Sequence, residues 1–352
     1  MRCAIMVDTS GKRAVRKIAS KRNDIQHNMR KTIAIGESVL DTMFRDDKPV
    51  CSFVGGRIAN AAASLGMAGI PVEMVSECCN DHVGDIIVDF LKNHNVGTAS
   101  VDRYTDGSSA VSMIFYSKDG DKKLINYFNY PDDHFDVVWP RIDEDDVILF
   151  GSFYSIDPDM RERFYELIKY AHERKAVLVY LLGCQHGIGC RITKVMPGIL
   201  ENLEMADIVI ATQGDLNAIF PGETADQAFK NHIEFYCSNF LHIGEDSCIT
   251  VYHRRGEKTF FDGCRGQIDK NPLGWQSGLA SGIIYALFAN GILHDAIDSV
   301  DAAVMDGIIN EALEFAVNAS ASMDVNCIDS GFALEKAEKL KHGPEENINS
   351  EP

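Results

Sequence analysis

Apolar and polar positions change period repeatedly along the chain, and the changes outline alternating strands and helices. Thr32 to Ile35, within "TIAIGESVLDTMF", has the pattern of a short buried strand that breaks at Gly36 into a loop carrying Glu37 and Asp41. Next, "VCSFVGGRIANAAASLGMAGIPVEMVSECC" reads as a strand, a Gly-Gly turn, an Ala-rich helix, a Gly-Ile-Pro break and another strand. Such a β-α-β unit implies a parallel sheet. The segment "VGDIIVDFLKNHNV" predicts an amphipathic helix with Ile86, Phe90 and Leu91 on one side. After it, "SSAVSMIFYSKDGDKKLINYF" alternates at period two about "KDGD", predicting a hairpin in a small sheet standing off the main one as a lid.

From Asp146 the alternation resumes, with strands "VILFGSF", "AVLVYLL", "DIVIAT", "FLHIG" and "CITVYH" and helices "MRERFYELIKYAHERK" and "MPGILENLEMA". The hairpin "GEKTFFDG" leads to "DKNPLGWQSGLASGIIYAL", where a helix is expected to open near Ser277, and "VDAAVMDGIINEALEFAVNASASM" is expected to be the final helix, packed on the outside. The order predicts an α/β fold: a three-layer α/β/α sandwich with a mostly parallel central sheet and a small protruding β-sheet lid. No internal repeat or linker splits residues 31–342, which are expected to form one domain. Residues 343–352, polar and Pro-containing, read as a disordered tail.

Composition narrows the partners. A net charge of −18 argues against general nucleic-acid binding, so any phosphate ligand must be held locally. No apolar run reaches the length of a membrane span, and ten scattered cysteines fit a reducing cytoplasm better than a disulfide framework. Residues 1–30 carry eight Lys/Arg against two Asp/Glu, without a secretory h-region. They read as a basic, flexible extension or an early translation start, with Met29 the alternative. In "CQHGIGC", Cys184, His186 and Cys190 lack a second ligand pair at zinc spacing, so no metal site is expected.

Three constellations carry candidate chemistry. Paired glycines Gly55 and Gly56 before a helix let a ligand approach the backbone and the helix N-terminus, with Asn60 one turn in to meet a hydroxyl. The same pattern also describes a plain turn before a packing helix. Glu37 and Asp41, at a strand's C-terminal end, can accept hydrogen bonds from vicinal hydroxyls, or serve as solvated loop acids or helix caps. The loop before Ser277, with Gly274, can surround an anion with backbone N–H groups.

The order of elements, and the stretches "IAIGESVLD", "GGRIANAAASLGMAG", "CCNDHVGDIIVDFLKNHNV", "SAVSMIFYSKDGDKKL" and "GWQSGLASGIIYAL", resemble the ribokinase family, the PfkB-type sugar kinases, over about residues 31–340. The resemblance implies transfer of the terminal phosphoryl group of ATP, with Mg²⁺, to a sugar or nucleoside hydroxyl. It implies substrate contacts from Asp41, Gly55, Gly56 and Asn60. Because an exposed sheet face invites burial, a homodimer through the lid, residues 42–54 and 109–128, is also expected. The family motif Asp-Thr-x-Gly-Ala-Gly-Asp falls on Asn271 to Ser277: Gly274 is kept for the anion hole, Gln276 replaces the second glycine and Ser277 the catalytic Asp. A slip of two residues would put Trp275 at the base position. On the nucleotide side, Gly244 is kept, Ser247 replaces a Gly, and Gln213 and Leu216 stand where an Asn and a Glu are usual, with Asp215 the nearest acid. Serine holds its proton too tightly to act as a base at neutral pH. Three readings follow: a weak or divergent kinase, with Asp215, Asp262 or Asp269 reaching the site; a sugar-binding or sensing pseudokinase; and a scaffold without a ligand.

Overall fold

A computed structural model describes residues 30–116, 122–132, 135–184, 192–245, 248–253, 258–261, 272–321 and 326–342. The basic stretch up to residue 29, the "KDGD" turn, His186 and Cys190, Ser247, Asp262, Asp269 and the tail from residue 343 lie outside the described residues.

Strand β1 (Thr32–Ile35) leads into β2 (Val39–Arg45) and β3 (Lys48–Gly55), then α1 (Arg57–Met67), β4 (Val72–Cys79), α2 (His82–Asn93) and β5 (Val96–Tyr104). A hairpin, β6 (Ser108–Tyr116) and β7 (Lys122–Asn129), precedes β8 (Val147–Gly151), α3 (Arg161–Glu173), β9 (Val177–Leu181), α4 (Ile192–Met205), β10 (Ile208–Thr212), α5 (Gln213–Ile219) and α6 (Ala225–Ala228). Last come β11 (Asn239–Ile243), β12 (Ile249–His253), β13 (Lys258–Phe261), α7 (Pro272–Ala289), α8 (Ala302–Ala319) and α9 (Ser330–His342).

The central sheet runs β13-β12-β11-β10-β9-β8-β1-β4-β5, parallel from β11 to β5 and antiparallel at β12 and β13. Along β9, Val177, Val179 and Leu181 enter one apolar layer, and Leu178 and Tyr180 the other. That alternation is what a strand covered on both faces requires. Helices α1, α2, α7, α8 and α9 cover one face and α3 to α6 the other, giving the expected three layers. The small sheet, β3-β2-β6-β7, is the predicted lid, with the β6–β7 pair antiparallel as read from the alternation.

Four local expectations are corrected. Asp41 lies inside strand β2, not in a loop, because Val39 to Arg45 pairs with both β3 and β6. The face of α2 that enters the core carries Ile87 and Leu91 with Phe90 packed against it, as expected for Phe90 and Leu91, while Ile86 is 38% exposed and Ile87 takes its place. Helix α7 opens at Pro272, five residues before Ser277, since proline is suited to a first helical turn that needs no N–H. Helix α8 is followed by α9, whose Lys336 carbonyl accepts from the buried Tyr285 hydroxyl of α7 at 2.7 Å.

Helix α7 is apolar on all sides because it is enclosed. A Cβ added at Gly278 would lie 2.7 Å from the Ala316 Cα of α8, and one at Gly282 would lie 2.9 Å from the Phe315 Cβ. These two glycines therefore serve close helix packing. Among the described residues no helix is long and apolar enough to cross a membrane.

Candidate active site

Parallel registry brings the carboxyl ends of β1, β8, β9, β10 and β11 to one edge: Ile35 pairs with Phe150, Gly151 with Leu181, and Thr212 with Ile243. Open α/β sheets bind ligands in the crevice outside this edge. The loops leaving it carry Glu37, Ser152, Leu182 and Gly183, Gln213 and Gly244.

Two glycines shape the entry to α1. Gly56 has φ +99°, a left-handed conformation suited to glycine, and an added Cβ would overlap the Glu37 carbonyl oxygen. At Gly55 an added Cβ would overlap the Asp41 carboxylate. Asp41 sits opposite Ser112 across the β2–β6 pair, and the Ser112 hydroxyl donates to Asp41 Oδ1. One turn into α1, Asn60 is 3% exposed, and its Oδ1 has no hydrogen-bond partner among the described residues. A buried acceptor left unpaired costs about 1–3 kcal/mol, so this amide is primed for an outside donor.

Arg57 opens α1 and was not singled out from the sequence, although a cation at a helix N-terminus opposes the macrodipole. Its Nη1 donates to Gln276 Oε1 of α7 at 2.8 Å and to the Leu182 carbonyl beyond β9 at 3.2 Å. Arg57 thus joins β9, α1 and α7 across the edge. Burial pushes the Glu37 carboxyl above the usual carboxylate range, and the Arg57 charge is the largest influence opposing it. Glu37, Gly56, Arg57 and Gln276 are all half-buried at this edge of the sheet.

Ser152, just past β8, is a second residue the sequence did not flag. It is buried, with φ +58° and ψ −170°, a region almost reserved for glycine, and its hydroxyl lies at the Glu37 carboxyl, whose charged form it favours against burial. Non-glycine residues hold such conformations at about 1–3 kcal/mol, and they cluster at functional sites. Glu77, at the end of β4, is buried and accepts from the Phe135 N–H at 2.8 Å and the Tyr154 hydroxyl at 3.2 Å. Burial and the Glu77 charge keep Tyr154 and Tyr130 well above the usual phenol range.

The α7 residues lie differently from expectation. Gly274 is inside the first turn of the helix, Trp275 is packed into the core at 2% exposure, and Ser277 is fully buried with its Oγ unpaired among the described residues. A hydroxyl sealed in the core cannot meet a ligand in the crevice. Of the nucleotide-side candidates, Asp215 is consumed as a helix cap: it accepts from the Thr212 N–H at 3.0 Å, the Thr212 hydroxyl at 2.6 Å and the Cys184 N–H at 2.8 Å. It is therefore not available to stand in for a missing acid. Gln213 accepts from His242 at 3.0 Å and donates to Asn217 at 2.8 Å, beside an open basin that Gly222, Thr224 and Glu245 also line. Gly244, next to Glu245, lies at the same end.

No group of three or more His, Cys, Asp or Glu among the described residues could cage a metal ion. The Cys184 thiol is pushed up to about 12 by burial and by the Asp215 charge, which disfavours the thiolate that metals bind. Mg²⁺ bound mainly through nucleotide phosphates needs no such cage.

The model of the pfkB family of carbohydrate kinases matches residues 33–235. The chain belongs to this family. A 5-dehydro-2-deoxygluconokinase of Geobacillus kaustophilus is 26% identical over 250 residues, covering 67% of this chain and 72% of that one. Another, from Clostridium tetani, is 21% identical and covers 89% and 90%. Among solved structures, the fructokinase of Xylella fastidiosa with bound ATP superposes with a TM-score of 0.72 at 15% identity, covering 89% of this chain and all of that one. The aminoimidazole riboside kinase of Salmonella enterica gives 0.67 at 15%, covering 89% and 99%. The ribokinase-like fold and the membership in a family of sugar and nucleoside kinases agree with the expectation from "GGRIANAAASLGMAG" and its companions.

Proposed function

We propose that this PfkB kinase transfers the terminal phosphoryl group of ATP to a hydroxyl of a sugar, sugar acid or riboside. The observation that carries the reading is the unpaired, buried Asn60 Oδ1. It lies in the helix that the Gly-Gly turn opens, and Gly55 of that turn makes room for the Asp41 carboxylate. An acceptor and a carboxylate of this kind fit vicinal hydroxyls. The relatives act, by their names, on a deoxygluconate derivative, on fructose and on a riboside, which supports a polyhydroxylated acceptor. Gly274, Gln213 and Gly244 are assigned to the phosphate and nucleotide side, and Mg²⁺ would arrive with the nucleotide phosphates and neutralise their charge.

Sugar binding without transfer is favoured by one observation, the sealing of Ser277 in the core. The two readings separate in a calorimetric titration with ATP and Mg²⁺, alone and with D-fructose, 5-dehydro-2-deoxy-D-gluconate and adenosine. Nucleotide binding that strengthens with one acceptor supports the kinase; acceptor binding without nucleotide binding replaces it with a sensor. A homodimer through the small sheet is supported by the exposed Val50, Ile125, Tyr127 and Phe128 on its strands. A reducing, cytoplasmic setting is supported by Cys78, Cys79, Cys184 and Cys327, which are thiols and not half-cystines.

A further inference from the structure

Phosphoryl transfer to a hydroxyl releases a proton, and the position aligned with the family's acid holds a serine that the core encloses. Asp215 is locked by three hydrogen bonds in its cap. Asp41 is held by the Ser112 hydroxyl within the small sheet. Glu37 is different: it leaves the carboxyl end of β1, is half-buried, and lies beside the Gly-Gly turn and the Arg57 guanidinium, which Gln276 holds. Two further observations point to the same spot. Ser152 is held in a glycine-like conformation with its hydroxyl at the Glu37 carboxyl, whose charged form it favours. Arg57 is anchored by Gln276 and Leu182 at a helix end where a cation is otherwise unfavourable.

We propose that Glu37 is the proton acceptor of the transfer, with Arg57 as its positioning residue; the inference rests on the kinase reading. The acceptor oxygen forms a bond to the γ-phosphorus of the nucleoside triphosphate while the bond from that phosphorus to the bridging oxygen breaks. The electron pair of the broken bond leaves with the diphosphate, and the hydroxyl proton passes to a Glu37 carboxylate oxygen and from there to solvent. Arg57 compensates the negative charge that Glu37 brings near the phosphates. The groups that face Glu37 are Arg57 from α1, Ser152 from the end of β8, and the phenols of Tyr130 and Tyr154, which burial keeps protonated. Burial holds the Glu37 carboxyl above the usual carboxylate range, which makes its anion the stronger proton acceptor.

The test is ADP release from ATP and Mg²⁺ with the best acceptor among D-fructose, 5-dehydro-2-deoxy-D-gluconate and adenosine, measured for wild type, Glu37→Gln and Arg57→Gln across pH. Glu37→Gln should lower kcat on the order of 10²–10⁴-fold and abolish the acid limb of the kcat profile. Arg57→Gln should move that limb to higher pH, because removing a neighbouring cation makes the carboxylate harder to form. A merely structural role would leave the position of the limb unchanged. Thermal unfolding checks that each variant is folded. Turnover with an unchanged profile in Glu37→Gln overturns the inference and leaves the kinase reading intact. ATP binding without transfer in wild type overturns the inference and the catalytic part of the reading. A wild type that binds no nucleotide overturns both.

Discussion

Replacing Asn60 by alanine separates a ligand-holding amide from a packing residue, because the two roles predict opposite patterns. In the unliganded protein Asn60 Oδ1 is buried without a partner among the described residues, and removing it relieves about 1–3 kcal/mol of desolvation. Against this stands the packing lost when a side chain at 3% exposure is truncated, about 0.8 kcal/mol per methylene-sized group. The terms nearly cancel, so Asn60→Ala should keep stability within about 1 kcal/mol, or a thermal midpoint within about 4 °C. Acceptor binding should fall by about 1–3 kcal/mol, since the lost hydrogen bond is made only in the complex. That corresponds to about 5- to 150-fold in Kd. Calorimetry with the acceptor and a thermal melt without it read the two quantities separately. An unchanged Kd with a midpoint lowered by many degrees would refute the reasoning and make Asn60 structural.

Gly55→Ala places a Cβ on the Asp41 carboxylate and should weaken acceptor binding at least tenfold while the central sheet stays folded; equal affinity would mean Asp41 can move freely. Ser152→Gly releases the φ +58° strain and should raise stability by about 1 kcal/mol, seen as a higher midpoint in denaturant. The double change Ser277→Asp with Gln276→Gly should not raise transfer, because the new carboxylate would be buried without partners and Arg57 would lose its Gln276 contact; a gain in ADP release would show that the start of α7 rearranges. Because the folded Glu37 carboxyl titrates above its unfolded value, its contribution to stability is full at acid pH and is lost as pH rises through the folded value. Glu37→Gln should therefore be at least as stable as wild type at neutral pH, and urea titrations at two pH values check the sign.

The strands whose residues are buried on both faces, such as β1, β9 and β10, were legible because continuous apolar runs bounded by glycine and polar breaks have few other readings. The Gly-Gly turn was legible for the steric reasons the structure displays at Gly55 and Gly56. Strand β2 was hidden because Asp41 and Thr42 look like loop residues until β6 supplies Ser112 as a partner. Strand β5 went unmarked because Gly97, Thr98 and Ser100 weaken its pattern, and α9 because its buried Lys336 is neutralised by Glu311 and Glu314 from α8. The small residues of "GWQSGLASG" drew attention to an anion loop at Gly274, whereas Gly278 and Gly282 answer to the approach of α8. Arg57, Ser152 and Gln276 meet only through tertiary contacts, and no local period announces such a meeting.

Phosphorus NMR of the protein with ATP, Mg²⁺ and an acceptor shown by calorimetry to bind tests the kinase assignment most directly. The account predicts a new phosphate-ester signal growing as the γ-phosphate signal of ATP declines. An unchanged ATP spectrum with the acceptor bound would contradict it.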